Sequence, residues 1–404
     1  MLPKNVCTVA ALCIFAAAAA REARPADLPT PTGPPAVGRT VMYFNDDDRP
    51  EPWTQDKNDR RELNLVVWYP AAVGGEPALY VAYTAEKLPP MLNVDRARGG
   101  RLTTHAFENP PLAATPARFP VLIFSPGADM APTAYLGVVQ ELVSHGFVVV
   151  GIDHTYEGKG QMLPDGRLVK PLMDERGPKP GGTPESFNKA FQDFYRFRVE
   201  IRVADIASTL HVLALNDTFE RSKFYRRLDM ERVGVFGHSI GGVAAAHALA
   251  ELDGLNAGAN IDGLFAGVPF QEDHRPSRPF LYLGKDIQTP SAEALKEAGV
   301  SAEEAVERVR LQDAKLDDML GSVNEGAFRV TLPGASHSAF SDEPYLSARP
   351  NDSGNEERLV RTRITSDYLH AFFEQSLLGR SSKMLTEVPA EYAGKVEVRS
   401  FGRQ

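Results

Sequence analysis

Short, continuously apolar runs alternate along the chain with segments whose apolar residues recur every three or four positions. The apolar runs are PVLIFS (120–125), FVVVGID (147–153), VGVFG (233–237), AGANID (257–262), PFLYLG (279–284) and FRVTLPG (328–334). Runs of this length are typical of strands buried on both faces of a sheet. Nearer the N-terminus, residues 40–44 and 63–69 also have the composition of strands, and the polar segment between them is predicted to be a solvated loop.

Amphipathic helices are predicted between several of these runs. One helix is indicated by apolar side chains at steps of four and three residues, namely Val199, Val203, Ile206, Leu210 and Leu213. Another covers residues 364–378 and is closed by Gly379 as a C-terminal cap. Strands that alternate with helices predict βαβ crossovers, and therefore an α/β fold with a mostly parallel central sheet and helices on both faces.

Two stretches interrupt this alternation. Residues 155–190 are rich in glycine, proline and charge, and residues 288–322 are predicted to be helical, with Ser301 and Glu304 forming a capping box. Both follow strand ends, where open α/β sheets bind ligands. They are candidates for a lid or a pocket wall, and plain surface insertions are the alternative.

The two ends of the chain have a different composition from the rest. Residues 1–20 resemble a signal peptide, with Lys4 before a short apolar run that ends in alanines, and residues 21–38 form a Pro-rich linker. We therefore predict one α/β domain over residues 39–378, a C-terminal tail over 379–404, and a secreted or periplasmic protein. Both cysteines lie in the signal segment, so the mature chain would have neither disulfides nor thiol chemistry.

Charge narrows the range of partners. The formal net charge is −9, which argues against nucleic acid and anionic membranes as partners. No apolar run beyond the signal segment is long enough to span a bilayer. The acidic triplet 46–48 does not have the spacing of an EF-hand loop, so a solvated turn is the preferred interpretation.

The segment Gly237-His-Ser-Ile-Gly241 has the G-x-S-x-G pattern of a nucleophile elbow. An apolar strand precedes it and a small-residue helix follows, which is the context that this pattern requires. The elbow holds Ser239 in a strained, exposed turn, and the glycines allow the strand and the helix to approach closely. The alternative is a structural turn. His238 occupies the variable position of the elbow and is expected to point away from the reaction.

A serine nucleophile needs a base, and the base needs a carboxylate. His337 is the candidate base, because it lies in the loop after the last predicted strand. Two aspartates stand at the ends of intervening strands, Asp262 after AGANID and Asp286 after PFLYLGK. The residues alone do not decide between them. For the oxyanion hole, the candidate donors are the backbone N–H groups of Ile240 and of Ala128, which follows the predicted turn at Pro126 and Gly127.

These motifs together resemble the platelet-activating factor acetylhydrolase type II family of the α/β-hydrolase superfamily. The resemblance runs from about residue 38 to 378 and is carried by LNLVVWYPA, FPVLIFSPGADM, FVVVGIDHTYEG, VGVFGHSIGG, ANIDG, RPFLYLG and GASHSAFSD. In this family the acid follows the strand after the elbow helix. The resemblance therefore implies Asp262 as the acid, with Asp286 as the fallback, and it supports Ala128 and Ile240 as oxyanion donors.

The predicted function is that of an exported serine esterase. Small-molecule or lipid esters with short acyl groups are the expected substrates, and no metal or organic cofactor is required. A lipase or cutinase-like polyester hydrolase with the same triad is the first alternative. A catalytically inactive α/β-hydrolase that serves as a binding protein is the alternative from another class.

Overall fold

A computed structural model describes residues 28–402, except for residues 73, 81–103, 159, 164, 180–182, 266–274, 288, 290, 292, 294–300 and 348–352. The predicted signal peptide lies outside the described residues. Twelve strands are found in the described part: β1 (Ala36–Pro50), β2 (Arg60–Ala71), β3 (Ala106–Glu108), β4 (Phe119–Ser125), β5 (Val148–Asp153), β6 (Gln161–Met162), β7 (Leu168–Val169), β8 (Leu228–His238), β9 (Ala257–Ile261), β10 (Phe280–Lys285), β11 (Ala327–Leu332) and β12 (Glu397–Phe401).

Ten of these strands form one sheet in the order β12-β11-β10-β9-β8-β4-β5-β2-β1-β3. The central strands from β11 to β5 pair in parallel, and β1–β2, β2–β5 and β11–β12 pair antiparallel. The predicted mostly parallel sheet is confirmed. Because β8, β9, β10 and β11 are parallel neighbours, the loops that follow them emerge at the same edge of the sheet.

Helices cover both faces of the sheet. Seven α-helices are found among the described residues: α1 (Leu136–Ser144), α2 (Met173–Arg176), α3 (Pro184–Thr218), α4 (Ile240–Glu251), α5 (Ala302–Gly321), α6 (Glu343–Ser347) and α7 (Asn355–Leu378). The side chains of α1 and α7 belong to one hydrophobic cluster, and those of α3, α4 and α5 belong to the other. The side chains of β4 alternate between the clusters, with Leu122 and Phe124 in the first and Val121 and Ile123 in the second.

Several boundaries differ from those expected. β1 continues through the acidic triplet, which therefore lies in a strand and not in a solvated turn; Asp46 accepts a hydrogen bond from Ser208. The segment expected as a C-terminal tail packs on the domain, since Leu385, Tyr392 and Val396 are buried and β12 extends the sheet. Short polar strands at a sheet edge lack the apolar run by which the central strands are predicted.

The described part of the Pro-rich segment is also packed. Leu28 is buried, and the N–H groups of Thr32 and Gly33 donate to Glu141 and Ser144 of α1. The first predicted insertion, residues 155–190, contains the β6–β7 hairpin, α2 and the start of α3. The second, residues 288–322, contains α5, and the predicted cap at Ser301 is present. No helix in the described part of the chain has the length and apolarity needed to cross a membrane.

Candidate functional site

Ser239 occupies the turn between β8 and α4. Its backbone has φ 56° and ψ −126°, a conformation that non-glycine residues rarely adopt. Its N–H donates to the carbonyl of Ile261 at 2.8 Å, which ties the turn to the neighbouring strand β9. The residue is only partly buried, whereas its neighbours His238 and Ile240 are buried. The turn therefore gives the Ser239 side chain access to solvent at the sheet edge.

The two glycines of the elbow, Gly237 and Gly241, lie too close to neighbouring backbone carbonyls for a side chain to fit. A Cβ on Gly237 would lie 2.2 Å from the carbonyl oxygen of Gly241, and a Cβ on Gly241 would lie 2.1 Å from the carbonyl oxygen of Ser125. Both distances are shorter than any real Cβ contact. Only glycine allows α4 to start this close to the end of β4.

His337 and Asp262 are hydrogen-bonded. His337 Nδ1 lies 2.6 Å from Asp262 Oδ2, and Asp262 Oδ1 accepts the N–H of Lys285 at 3.0 Å. The carboxylate side chain is only 4% exposed, while the imidazole is 49% exposed. A carboxylate on Nδ1 fixes the tautomer in which Nε2 is the basic nitrogen. Asp262 is therefore placed to orient an accessible base.

Asp286 has a different partner. Its Oδ1 accepts the N–H of Gly334 at 2.8 Å, in the loop three residues before His337. Of the two aspartates that the sequence left open, Asp262 contacts the imidazole, and Asp286 anchors the loop that carries it.

His238 links the elbow to the loop that carries His337. Its ring centroid lies 4.5 Å from that of His337, and its Nε2 lies 3.1 Å from the carbonyl oxygen of His337. The expectation that His238 points away from the reaction is wrong. Burial, followed by the neighbouring His337, lowers the pKa of His238 to about 3, so this imidazole is neutral at ordinary pH. The elbow and the loop of His337 are thus in direct contact.

The candidate oxyanion donors lie on two segments that touch each other. Ile240 is the first residue of α4, so its N–H has no acceptor within the helix. Ala128 follows the turn at Pro126 and Gly127, and Gly241 packs against the carbonyls of Ser125 and Pro126. The α4 N-terminus, whose dipole favours negative charge, therefore lies beside the loop that carries Ala128.

A second hydroxyl–imidazole–carboxylate set lies beneath that loop, and sequence reasoning missed it. Ser125 Oγ lies 2.8 Å from His154 Nε2, and His154 Nδ1 lies 2.7 Å from Asp205 Oδ2. All three are buried, with Ser125 and Asp205 at 0% exposure. An ester cannot reach Ser125 in this position, so the set is part of the interior. His154, the residue directly after β5, belongs to this network.

Ion pairs surround this buried set. Arg61 donates to Asp205 through Nε at 2.9 Å and Nη2 at 2.6 Å, and Arg49 approaches Asp205 at 2.7 Å. Burial opposes ionisation of Asp205, but Arg61 and Arg49 hold the pKa of this carboxyl well below its usual range. Burial and the nearby Arg202 lower the pKa of His154 to about 4. No single local motif indicated this network, because its members come from distant segments.

Among the described residues, no group of three His, Cys, Asp or Glu side chains is arranged to hold a metal ion. The site brings together a serine, two histidines, a carboxylate and backbone N–H donors. Such a set can perform nucleophilic acyl transfer.

Comparison with known proteins identifies relatives among esterases. Residues 55–159 match the family described as platelet-activating factor acetylhydrolase, isoform II. A probable 1-alkyl-2-acetylglycerophosphocholine esterase of Arthroderma benhamiae is 22% identical over 292 residues, which are 68% of this chain and 64% of the fungal protein. A platelet-activating factor acetylhydrolase of Canis lupus familiaris is 28% identical over 171 residues, 38% of this chain and 36% of that protein. The matched regions thus span less than two thirds of either relative.

A solved structure shares the fold over nearly its full length. The ferulic acid esterase from Streptomyces cinnamoneus superposes with a TM-score of 0.66 at 24% sequence identity, covering 92% of this chain and 98% of that one. Together with the parallel sheet and the serine elbow, these matches give the classification. The chain has the α/β-hydrolase fold and is similar, over residues 55–159, to the platelet-activating factor acetylhydrolase isoform II family.

Proposed function

We propose that the protein is a serine esterase in which Ser239, His337 and Asp262 form the catalytic triad. The observation that carries this proposal is the 2.6 Å contact between His337 Nδ1 and Asp262 Oδ2, beside a serine in the strained turn of a G-x-S-x-G elbow. The names of the fungal esterase and of the canine acetylhydrolase support the same reaction class.

The reaction follows from the roles of these groups. His337 Nε2 takes the proton of the Ser239 hydroxyl as its oxygen attacks the ester carbonyl. The N–H groups of Ala128 and Ile240 bind the oxyanion of the tetrahedral intermediate. His337 then returns the proton to the leaving alcohol and activates a water molecule, which releases the carboxylic acid from the acyl-enzyme.

Short-acyl esters, including acetyl esters of phospholipids, are the proposed substrates. This choice rests on the names of the relatives, and the fold neighbour adds feruloyl esters to the set that should be compared. Rates on p-nitrophenyl acetate, butyrate and palmitate, ethyl ferulate and a polyester film separate an acetylhydrolase from a lipase or a polyester hydrolase. A rate that rises with acyl length, or release from the film, would favour the alternative enzymes.

A fluorophosphonate probe tests the proposal itself. The wild-type chain should be labelled, and Ser239→Ala should abolish labelling while leaving the thermal unfolding midpoint within a few degrees. Ser125→Ala is the matched control, because Ser125 also contacts a histidine but is buried; labelling should persist in this variant. A folded wild-type protein that neither reacts with the probe nor hydrolyses any ester would instead support a binding protein.

Export is a separate proposal that depends on residues 1–20 alone. Expression of the full chain, followed by N-terminal sequencing of protein from the periplasm and the medium, tests it. A mature N-terminus near residue 21 is the expected result.

A further inference from the structure

One peptide unit in the loop after β4 is held at both of its polar atoms. The carbonyl of Pro126 accepts a hydrogen bond from Arg202 Nη1 at 2.5 Å, and the N–H of Gly127 donates to the hydroxyl of Tyr135 at 3.0 Å. Tyr135 and Arg202 are each only 1% exposed. The next peptide along the chain carries the N–H of Ala128, so the orientation of that donor depends on this fixed unit.

The Tyr135 hydroxyl also connects this peptide unit, through His238, to the loop that carries His337. It lies 2.8 Å from His238 Nδ1, and His238 Nε2 lies 3.1 Å from the carbonyl oxygen of His337. These partners fix the hydrogens: Nε2–H donates to the carbonyl, Nδ1 accepts from the tyrosine, and the tyrosine accepts from Gly127. The hydroxyl also lies 3.0 Å from Met130 Sδ, which is a weaker acceptor. A continuous chain of hydrogen bonds therefore joins Gly127 to His337.

The contacts around this chain leave little space for movement. A Cβ on Gly127 would lie 3.0 Å from both His238 Nδ1 and the Tyr135 hydroxyl. Burial raises the pKa of Tyr135, which keeps its hydroxyl protonated. Phe124 packs edge-on against the Tyr135 ring at 4.8 Å between centroids. The hydroxyl therefore has one position relative to the loop.

The other end of the peptide unit is held from beneath. Arg202 donates to Glu157 Oε2 through Nε at 3.1 Å and Nη2 at 2.9 Å, and its Nη1 also lies 3.2 Å from Ser125 Oγ. Glu157 is itself buried and also binds Arg198. With its guanidinium held on several sides, Arg202 presents Nη1 to the Pro126 carbonyl in a fixed direction.

We propose that Tyr135 and Arg202 are positioning residues that hold the Pro126–Gly127 peptide so that the N–H of Ala128 points to the oxyanion, and that Tyr135, through His238, sets the position of this donor relative to His337. The inference rests on the proposed function. Preorganised donors lower the barrier because they need no reorientation when charge develops. Neither side chain needs to touch the substrate to have this effect.

Tyr135→Phe removes one oxygen atom and tests the inference. Direct loss of an oxyanion donor lowers kcat by roughly 100- to 1000-fold, so loss of its support should lower kcat by about tenfold, with KM within about twofold of wild type. The affinity for a trifluoromethyl ketone, whose serine adduct carries an oxyanion, should fall by the same factor as kcat/KM. A merely structural role would not move inhibitor affinity and kcat/KM together.

Tyr69→Phe is the matched control. Tyr69 is a buried tyrosine whose hydroxyl donates to a backbone carbonyl, that of Pro110, at 2.8 Å. This variant should keep the wild-type kcat and inhibitor affinity. If Tyr135→Phe behaves like Tyr69→Phe in both assays, or if its whole defect lies in KM, the inference is wrong.

Hydrogen–deuterium exchange provides a readout that does not depend on activity. Tyr135→Phe should speed amide exchange in the peptide that covers residues 125–130, because the Gly127 N–H loses its acceptor, and Tyr69→Phe should not. Unchanged exchange there would contradict the inference. If Tyr135→Phe does not fold, His238→Gln tests the same series of hydrogen bonds, and we expect a lower kcat at unchanged KM. An inactive wild type with the predicted exchange would count against the esterase proposal and leave the positioning of the loop supported.

Discussion

Asp262 Oδ2 and His337 Nδ1 lie 2.6 Å apart, although 75 residues separate them in the sequence. Asp262 directly follows β9 and His337 lies in the loop after β11, with β10 between these two parallel strands. Lys285, at the end of β10, donates its N–H to the same carboxylate. The contact is therefore a consequence of the strand order, which brings three successive strand ends to one edge.

Replacing the carboxylate should reverse the imidazole tautomer. In Asp262→Asn the side-chain amide would donate to Nδ1, so the proton would move to Nε2, which could no longer accept the serine proton. We expect kcat for p-nitrophenyl acetate to fall by about 10⁴-fold with the fold intact. Asp286→Asn keeps an oxygen for the Gly334 N–H and should reduce kcat only slightly. The opposite ranking of the two variants would identify Asp286 as the acid.

A methyl group at Gly241 should prevent the elbow from closing. The added Cβ would lie 2.1 Å from the Ser125 carbonyl oxygen and 2.5 Å from that of Pro126, and both are backbone atoms in buried positions. We expect Gly241→Ala to lose about 1–3 kcal/mol of unfolding free energy or more, together with probe labelling. Gly321→Ala, with nothing within 4 Å of the added Cβ, is the control for thermal unfolding. A stable, labelled Gly241→Ala would show that α4 can move away.

The buried ion pairs beneath the site should be strongly coupled to stability. Asp205→Asn would remove one of the two carboxylates that hold Arg61, whose side chain is 0% exposed, and would leave Glu51 as its remaining partner. Breaking a buried pair in this way typically costs about 3–5 kcal/mol, which urea unfolding would measure. Asp193→Asn removes an exposed partner of Lys189 and should leave the unfolding midpoint unchanged. A small effect of Asp205→Asn would mean that water or another group replaces the lost charge.

Two buried histidines should make the fold sensitive to acid. The pKa of His154 is lowered to about 4 and that of His238 to about 3, from an ordinary value of 6.5. Below pH 6.5 the unfolded chain takes up protons at these histidines that the folded chain does not. The stability that the neutral histidines contribute is therefore fully present above pH 6.5 and is lost as the pH falls towards the lowered pKa values. Each histidine can change the free energy of unfolding by up to about 1.4 kcal/mol per pH unit in this range.

His238→Gln tests this dependence. Urea unfolding at several pH values between about 4.5 and 7.5 should give a shallower slope for the variant than for wild type, by about one proton. His211→Gln, which replaces an exposed histidine on α3, is the matched control. An unchanged slope in His238→Gln would mean that His238 is protonated in the folded protein.

The sheet and the elbow could be predicted because their signals are local. A strand buried on both faces needs a continuous apolar run, and the turn at Ser239 needs glycines at fixed offsets, so a few adjacent letters carry the information. β12 could not be found in this way. It is an edge strand with a largely exposed pattern, and its pairing with β11 depends on the packing of the residues before it.

The roles of charged and polar residues were harder to predict for a related reason. Arg61 and Asp205 are separated by 144 residues, and Tyr135 and His238 by 103, so each looks in the sequence like an ordinary surface or core residue. Only the fold shows that Arg61 is buried and that His238 faces His337. The choice between Asp262 and Asp286 has the same origin, because both end a strand and only one strand end faces the imidazole.

The buried set of Ser125, His154 and Asp205 has spacings of 2.8 and 2.7 Å, so a template built on three atoms would accept it as readily as any hydrolase centre. Its hydroxyl is sealed within the domain, and its backbone is an ordinary strand end. To act as a nucleophile in this fold, a serine therefore needs solvent access and a strained turn as well as a histidine partner. A search for hydrolases by interatomic spacing alone would report this buried set and would need its lack of solvent access to discard it.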